Sequence, residues 1–284
     1  MAIAYLALTG LVMLTRNGSP HYNNIIEHFK YGSIGSETDS GIPYRVWMAL
    51  PKLFPTEFEN RNDYSAFGFL YEKDALGRQR DLPIGVSKRT VRGVDLVWLN
   101  CAVCHTGTYR LSETGPRTIV PAMPSNNLQF ERFVDFVLKT ATDEKLAPKS
   151  LMPAAEAAGP HFGTVEKAAW RYLVLPPLRE GLLQRYNEVA PLLARQPRWG
   201  PGRVDTFNPY KVGPFKIAAD TLADAEVVGA SDFPAVFEQG PREGMHLHWD
   251  GNNTSLAERN LSAALGAGVT PKTVDHAAIE RVAD

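Results

Sequence analysis

The stretch "LNCAVCHTGTYR", residues 99 to 110, holds the only two cysteines of the 284-residue chain, Cys101 and Cys104, with His105 directly after the second. Two thiols separated by two residues and followed by an imidazole offer several chemistries. A redox dithiol of the thioredoxin kind needs a βαβ setting, and the proline-rich, mostly helical pattern provides none. A structural zinc site needs four ligands, but there is no second cysteine pair, and His246 and His248 are distant and spaced too tightly for a finger. A disulfide between residues three apart would leave His105 without a role. C-x-x-C-H is also the attachment sequence of c-type haem. There the two thiols add across two vinyl groups of the porphyrin, and the next residue supplies the proximal iron ligand. One covalent haem c, bound by Cys101, Cys104 and His105, is the reading that uses all three residues.

A haem with one protein ligand can activate oxygen or peroxide, and a haem with two is usually an electron carrier. Met123 in "PAMPSNN" is one candidate for the second position, although most methionines are packing residues. His246 is another; it alternates with His248 around Leu247, and a hydrogen-bonded structural role is the commoner use of such a histidine. The loop "RWGPGRVDTFNPYKVGPF" supplies large apolar side chains, Trp199, Phe207 and Phe215, as candidate walls of a distal pocket. Arg198 and Arg203 of the same loop are candidate partners for haem propionates, which need cationic or donor groups when partly buried.

These groups must be positioned by short elements. With 23 Gly and 21 Pro, the chain reads as helices joined by long ordered loops. Phe130, Phe133, Val134, Val137 and Leu138 recur at helical spacing, with Asn126 and Gln129 resembling a capping box. "GIPYRVWMALPKLF" holds a helix that Pro51 should end. The segment 164–196 reads as two helices separated at Pro176 and Pro177. "TSLAERNLSAALGAGVTP" opens with Ser255 and Glu258 at capping-box spacing and closes at Gly266 to Gly268. The strand-or-coil run "VDLVWLN" leads into the motif. The expected class is mostly α: a cytochrome c-like haem core, about residues 95–140, embellished with long ordered loops and extra helices.

The net charge of −1 and pI of about 6.7 give no basic patch for nucleic acid. Residues 1–20 begin with an apolar run from Ala2 to Leu14, too short to span a bilayer. It reads as the remnant of a signal or membrane anchor, with a buried first helix as the alternative. At the other end, Thr270 and Pro271 read as a helix start, with Val274, Ala278, Ile279 and Val282 on one face, and the pattern still runs at Asp284. The expectation is therefore a haem domain over 21–284, cut before a second one. Haem attachment in bacteria takes place outside the cytoplasmic membrane, which implies a periplasmic or secreted protein, with a membrane anchor at the N-terminus as the alternative.

Three segments, "HFKYGSIGSE…GIPYRVWMALPKLFP", "LPIGVSKRTVRGVDLVWLNCAVCHTGTYR" and "MHLHWDGNNTSLAERNLSAALGAGVTP", together with "RWGPGRVDTFNPYK", resemble the first haem domain of large di-haem c-type cytochromes. These are relatives of rubber oxygenases, of fatty-acid di-haem dioxygenases and, more remotely, of di-haem cytochrome c peroxidases. The resemblance covers about residues 28–271. It implies an oxidoreductase acting with O₂ or peroxide on an apolar small-molecule or polymer substrate, with a second haem domain or a redox partner protein delivering electrons. The chain departs from the family in carrying one C-x-x-C-H motif where members have two. The alternative function is a six-coordinate electron-transfer module with no chemistry of its own.

Overall fold

Val86–Val91 and Val94–Leu99 are runs rich in β-branched residues on either side of Arg92-Gly93. In the computed structural model, which describes residues 15–248 and 250–283, they pair as a hairpin from Val86–Leu99 to Val91–Val94. Arg92 (φ 47°) and Gly93 (φ 78°) both take the left-handed conformation, the two-residue turn that matches the twist of paired strands. The sequence reading found only the second of these strands.

Along the chain, helix α1 (Ile25–Tyr31), the turn-long α2 (Glu37–Ser40), strand β1 (Ile42–Pro43) and helix α3 (Tyr44–Leu53) precede β2 (Val86–Val91), β3 (Val94–Leu99), β4 (Thr106–Tyr109) and β5 (Thr118–Pro121). Helices α4 (Phe130–Thr140), α5 (Pro148–Ala157), α6 (Thr164–Ala169) and α7 (Leu175–Leu193) follow. Strand β6 (Arg203–Asp205), helix α8 (Asn208–Val212), strand β7 (Ala230–Asp232) and helices α9 (Leu256–Gly266) and α10 (His276–Ala283) complete the order. Helix accounts for 42% and strand for 12%, in sheets ordered β1-β3-β2, β4-β5 and β6-β7.

This overturns the expected mostly-α, cytochrome c-like core. Residues 95–140 run through a strand, one 3₁₀ turn and two more strands before the first helix. The physical reason lies in the side chains. Val94, Val97, Thr106, Thr108, Thr118, Ile119 and Val120 are β-branched and favour the pleated backbone. Asn126, read as a helix cap, instead spans this region: its Nδ2 donates to the Thr108 carbonyl at 2.7 Å and its Oδ1 accepts from the Thr108 amide at 3.1 Å. Helix α4 accordingly starts only at Phe130, with no side-chain cap from Gln129.

The chain forms two compact units, residues 1–44 with 69–126 and 234–284, and residues 45–68 with 127–233. In the first, the three-stranded sheet, α1 and the two last helices surround the motif. Helix α9 is capped as expected, Ser255 Oγ accepting from the Glu258 amide at 3.4 Å. Helix α10 starts later than the Thr270-Pro271 reading: Asp275 Oδ1 accepts from the Ala278 amide, while the Thr270 hydroxyl donates to Asp39. Buried His28 of α1 holds α10 with both ring nitrogens, Nε2–H donating to the Ala278 carbonyl at 2.9 Å and Nδ1 accepting from Arg281 at 3.2 Å.

In the second unit, Trp47, Phe54, Phe58, Tyr64, Phe67, Phe133 and Phe136 form one aromatic cluster, with Trp47 stacked on Tyr64 at 3.8 Å between centroids. Pro51 lies inside α3 rather than ending it. It has no N–H to give to the Trp47 carbonyl, and the Tyr64 hydroxyl donates there instead at 2.7 Å. Pro176 and Pro177 likewise do not separate two helices. The turn before them widens into a π turn, Trp170–Val174, which joins α6 to α7, as such turns do where regular pairing is interrupted. Among the described residues no helix is long and apolar enough to cross a membrane. The apolar run at 2–14 lies outside the described residues.

Candidate cofactor-attachment site

Asn100 opens the site. It is 1% exposed, and its side-chain oxygen accepts from the Ala102 amide at 3.0 Å, capping the 3₁₀ turn Cys101–Val103. Its amide nitrogen donates to the Gly32 carbonyl at 3.0 Å and the Lys30 carbonyl at 3.3 Å. A buried amide with both ends satisfied fixes the turn in one orientation against the end of α1. Gly85 (φ 87°) completes the seat: a Cβ there would lie 2.3 Å from the backbone of Val103, and its carbonyl accepts from the Asn100 amide at 2.9 Å.

Side chains three apart on a 3₁₀ turn eclipse each other, so Cys101 and Cys104 project to one side. Both are free thiols and partly exposed. The protein around them disfavours the thiolates: burial pushes Cys101 up to about 11, against the pull of the Arg259 charge. Burial and the neighbouring Cys101 push Cys104 up as well. Cys101 packs against the buried cluster of Ile34, Ala264, Val269 and Ile279.

The His105 amide donates to the Cys101 carbonyl at 3.1 Å, and its ring Nδ1 lies 2.9 Å from the carbonyl of Pro234. A carbonyl can only accept, so Nδ1 carries the proton. Burial, with the charges of Arg259 and His248, pulls the ring down to about 4 despite the Pro234 bond. At neutral pH the imidazole is therefore uncharged, with its lone pair on Nε2. That is the tautomer a metal takes up, the other nitrogen being oriented by a backbone acceptor.

Met123 lies close by in chain and space, its side chain against Gly107 so tightly that a Cβ there would meet its sulfur at 3.2 Å. His246 is exposed and its Nδ1–H donates to the Gly251 carbonyl at 3.0 Å. His248, in the left-handed conformation (φ 64°), is held by Nε2–H donating to the Arg259 carbonyl at 3.2 Å, and its charge reaches His105. The remaining candidates belong to the second unit. Trp199 is buried, its indole donating to Gln196, while Phe207 and Phe215 are 46% and 71% exposed. Arg198 pairs with Glu131 and Arg203 with Asp232, each at 2.8 Å.

Sequence reasoning missed Asn100, Gly85, Pro234 and Arg259. Asn100 carried a usable signal, a cap-forming residue between an apolar strand and the first cysteine. Pro234 had none, because its contact spans 129 residues. Comparison of the chain with protein-family models, curated proteins and solved structures finds no match to any of them.

Proposed function

We propose that this chain is an exported redox protein that carries one haem c, tied covalently through Cys101 and Cys104 and ligated at iron by His105. The observation that carries the reading is the His105 ring: uncharged, proton fixed on Nδ1 by the Pro234 carbonyl, lone pair on Nε2. It stands directly beside two free thiols on one side of a single turn. The donor set fits the group. Thioether formation consumes both cysteines, and the porphyrin fills four iron positions itself, so no cluster of three or more ligating side chains is needed. Among the described residues none exists.

When bound, haem supplies one-electron chemistry and activation of O₂ or peroxide. The chain's own contribution is positional. Asn100 and Gly85 fix the turn that presents the thiols, and Pro234 fixes the nitrogen that His105 presents. The function we favour is oxidation of an apolar substrate with O₂ or peroxide, in partnership with a second haem domain or a redox protein. It draws on the resemblance to the di-haem oxygenase and peroxidase group. Export to the periplasm or beyond follows from where haem c is attached.

The test is to produce the chain behind a working signal peptide with the haem c maturation machinery. The visible spectrum of the dithionite-reduced protein is then recorded before and after carbon monoxide. A shifted Soret band supports an accessible iron and the oxygenase or peroxidase reading. A c-type spectrum unmoved by carbon monoxide assigns an electron carrier, with Met123, His246 and His248 as the residues to replace. No haem at all overturns the proposal.

A further inference from the structure

A partly buried positive charge without an acidic partner is costly, and such a charge is a receptor waiting for an anion. Arg198, Arg203, Arg89 and Arg80 each have a carboxylate within 2.9 Å. Arg259, near the start of α9, does not. It is partly buried, its Nη1 donates to Asn260 Oδ1 at 2.8 Å, and among the described residues no acid pairs with it. Arg242 is brought near by the next residue, Glu243, whose Oε2 accepts from the Leu256 amide at the start of α9 at 3.0 Å; among the described residues Arg242 has no acidic partner either, and its Nη1 donates to the Ala235 carbonyl at 3.4 Å.

Asn260 adds a third donor. It is 5% exposed, and because its oxygen accepts from Arg259 its Nδ2 is fixed as a buried N–H donor, with no acceptor in reach. Two guanidinium groups and an unmet amide donor are a set that carboxylates match, the guanidinium in paired geometry. The set lies beside the motif. Cys101 packs against the apolar cluster that includes Ala264 of the same helix, the Arg259 charge reaches Cys101 and His105, and the backbone of Arg259 holds His248.

We propose that Arg242, Arg259 and Asn260 form a carboxylate-receiving site beside Cys101 and His105, and that its occupant is a propionate of the covalently bound haem. This rests on the haem reading above. A free organic acid has the same chemistry, and the experiment separates the two sources.

The full chain is matured with haem c as wild type, Arg242→Gln, Arg259→Gln, Arg259→Lys and Asn260→Leu. Haem per chain is measured by the pyridine haemochrome spectrum, and the propionate bending band by resonance Raman. The expected result is a displaced band in Arg259→Gln and Arg242→Gln and partial return in Arg259→Lys, with haem content within twofold of wild type. Arg242 is exposed, so its variant keeps the test alive should replacements in α9 impair folding. Loaded variants whose band stays where wild type has it overturn this site and leave the haem reading standing. A wild type that takes up no haem overturns that reading and the propionate with it. The haem-free chain is then melted in acetate and in chloride at equal ionic strength. Stabilisation by acetate that is lost in Arg259→Gln supports a carboxylate site filled from solution, and equal melting in both salts overturns the site altogether.

Discussion

The two compact units are held together by different means. The second is built around large rings: Phe58 alone meets Tyr64, Phe67 and Phe136 at centroid distances of 5.0 to 5.1 Å. The first is held at its centre by backbone brought into near contact and by polar groups satisfied in the interior, Asn100, His28 and Gly85 among them. Ring packing is the less exacting of the two: its edge-to-face geometry adds only about 0.5–1.5 kcal/mol per pair to burial, and such a core tolerates exchange of one apolar shape for another of similar volume. Close backbone approach and buried hydrogen bonds tolerate almost nothing. The candidate attachment site sits in the unforgiving unit, which suits a turn that must present two thiols and one imidazole in fixed relation.

Gly85→Ala should be the most damaging single change, because the added methyl meets the Val103 backbone at 2.3 Å in a conformation that disfavours any side chain. A loss of at least about 4 kcal/mol is expected in urea unfolding; a loss under 1 kcal/mol would break the contrast between the units. Phe58→Ala should cost about 3–4 kcal/mol, and Phe58→Leu less than half of that. Equal losses for the two would mean that the ring cluster is as exacting as the motif's seat. Asn100→Ala strands the Gly32 carbonyl and the Ala102 amide, the Lys30 carbonyl keeping the Gly85 amide as donor, and should cost about 2–3 kcal/mol, while haem attached per chain falls further than stability alone accounts for. Tyr64→Phe removes the hydroxyl that donates to the Trp47 carbonyl opposite Pro51, for about 1–2 kcal/mol, read from the same unfolding curves.

The smallest effect is a pH slope. Burial, aided by the charge of Arg281 and of His21, holds His28 below its ordinary 6.5, against the Ala278 bond and the charge of Asp275. The unfolded chain then takes up a proton that the folded chain refuses, so stability is full above pH 6.5 and declines as the pH falls below it. His105, held down to about 4, adds its share between 6.5 and 4. His28→Asn should flatten the melting temperature against pH in this window, and an unchanged slope would remove His28 from the account.

What the sequence revealed follows the same division. The stripe Phe130, Phe133, Val137 and Leu138 made α4 readable, because helical periodicity is local. Ser255 marked the start of α9 for the same reason. The hairpin β2–β3 was partly legible, since Arg92-Gly93 between β-branched runs is a turn signal that the reading passed over. The cysteines and His105 stood out by type and spacing. Their supports did not, because Gly85, Gly32 and Pro234 become partners only when distant segments meet. Proline and helical periodicity dominate the chain as a whole, while the threonines and valines that flank the motif set its local backbone as strands.

The bond from His105 to Pro234 joins residues 129 apart, which sets a schedule for the growing chain. At synthesis rates of about 5–20 residues per second, the carbonyl follows the imidazole by on the order of ten seconds. During that interval the ring is free to offer either nitrogen and to take up a proton near its ordinary pKa. The choice of nitrogen thus waits for a segment that is made well after both thiols.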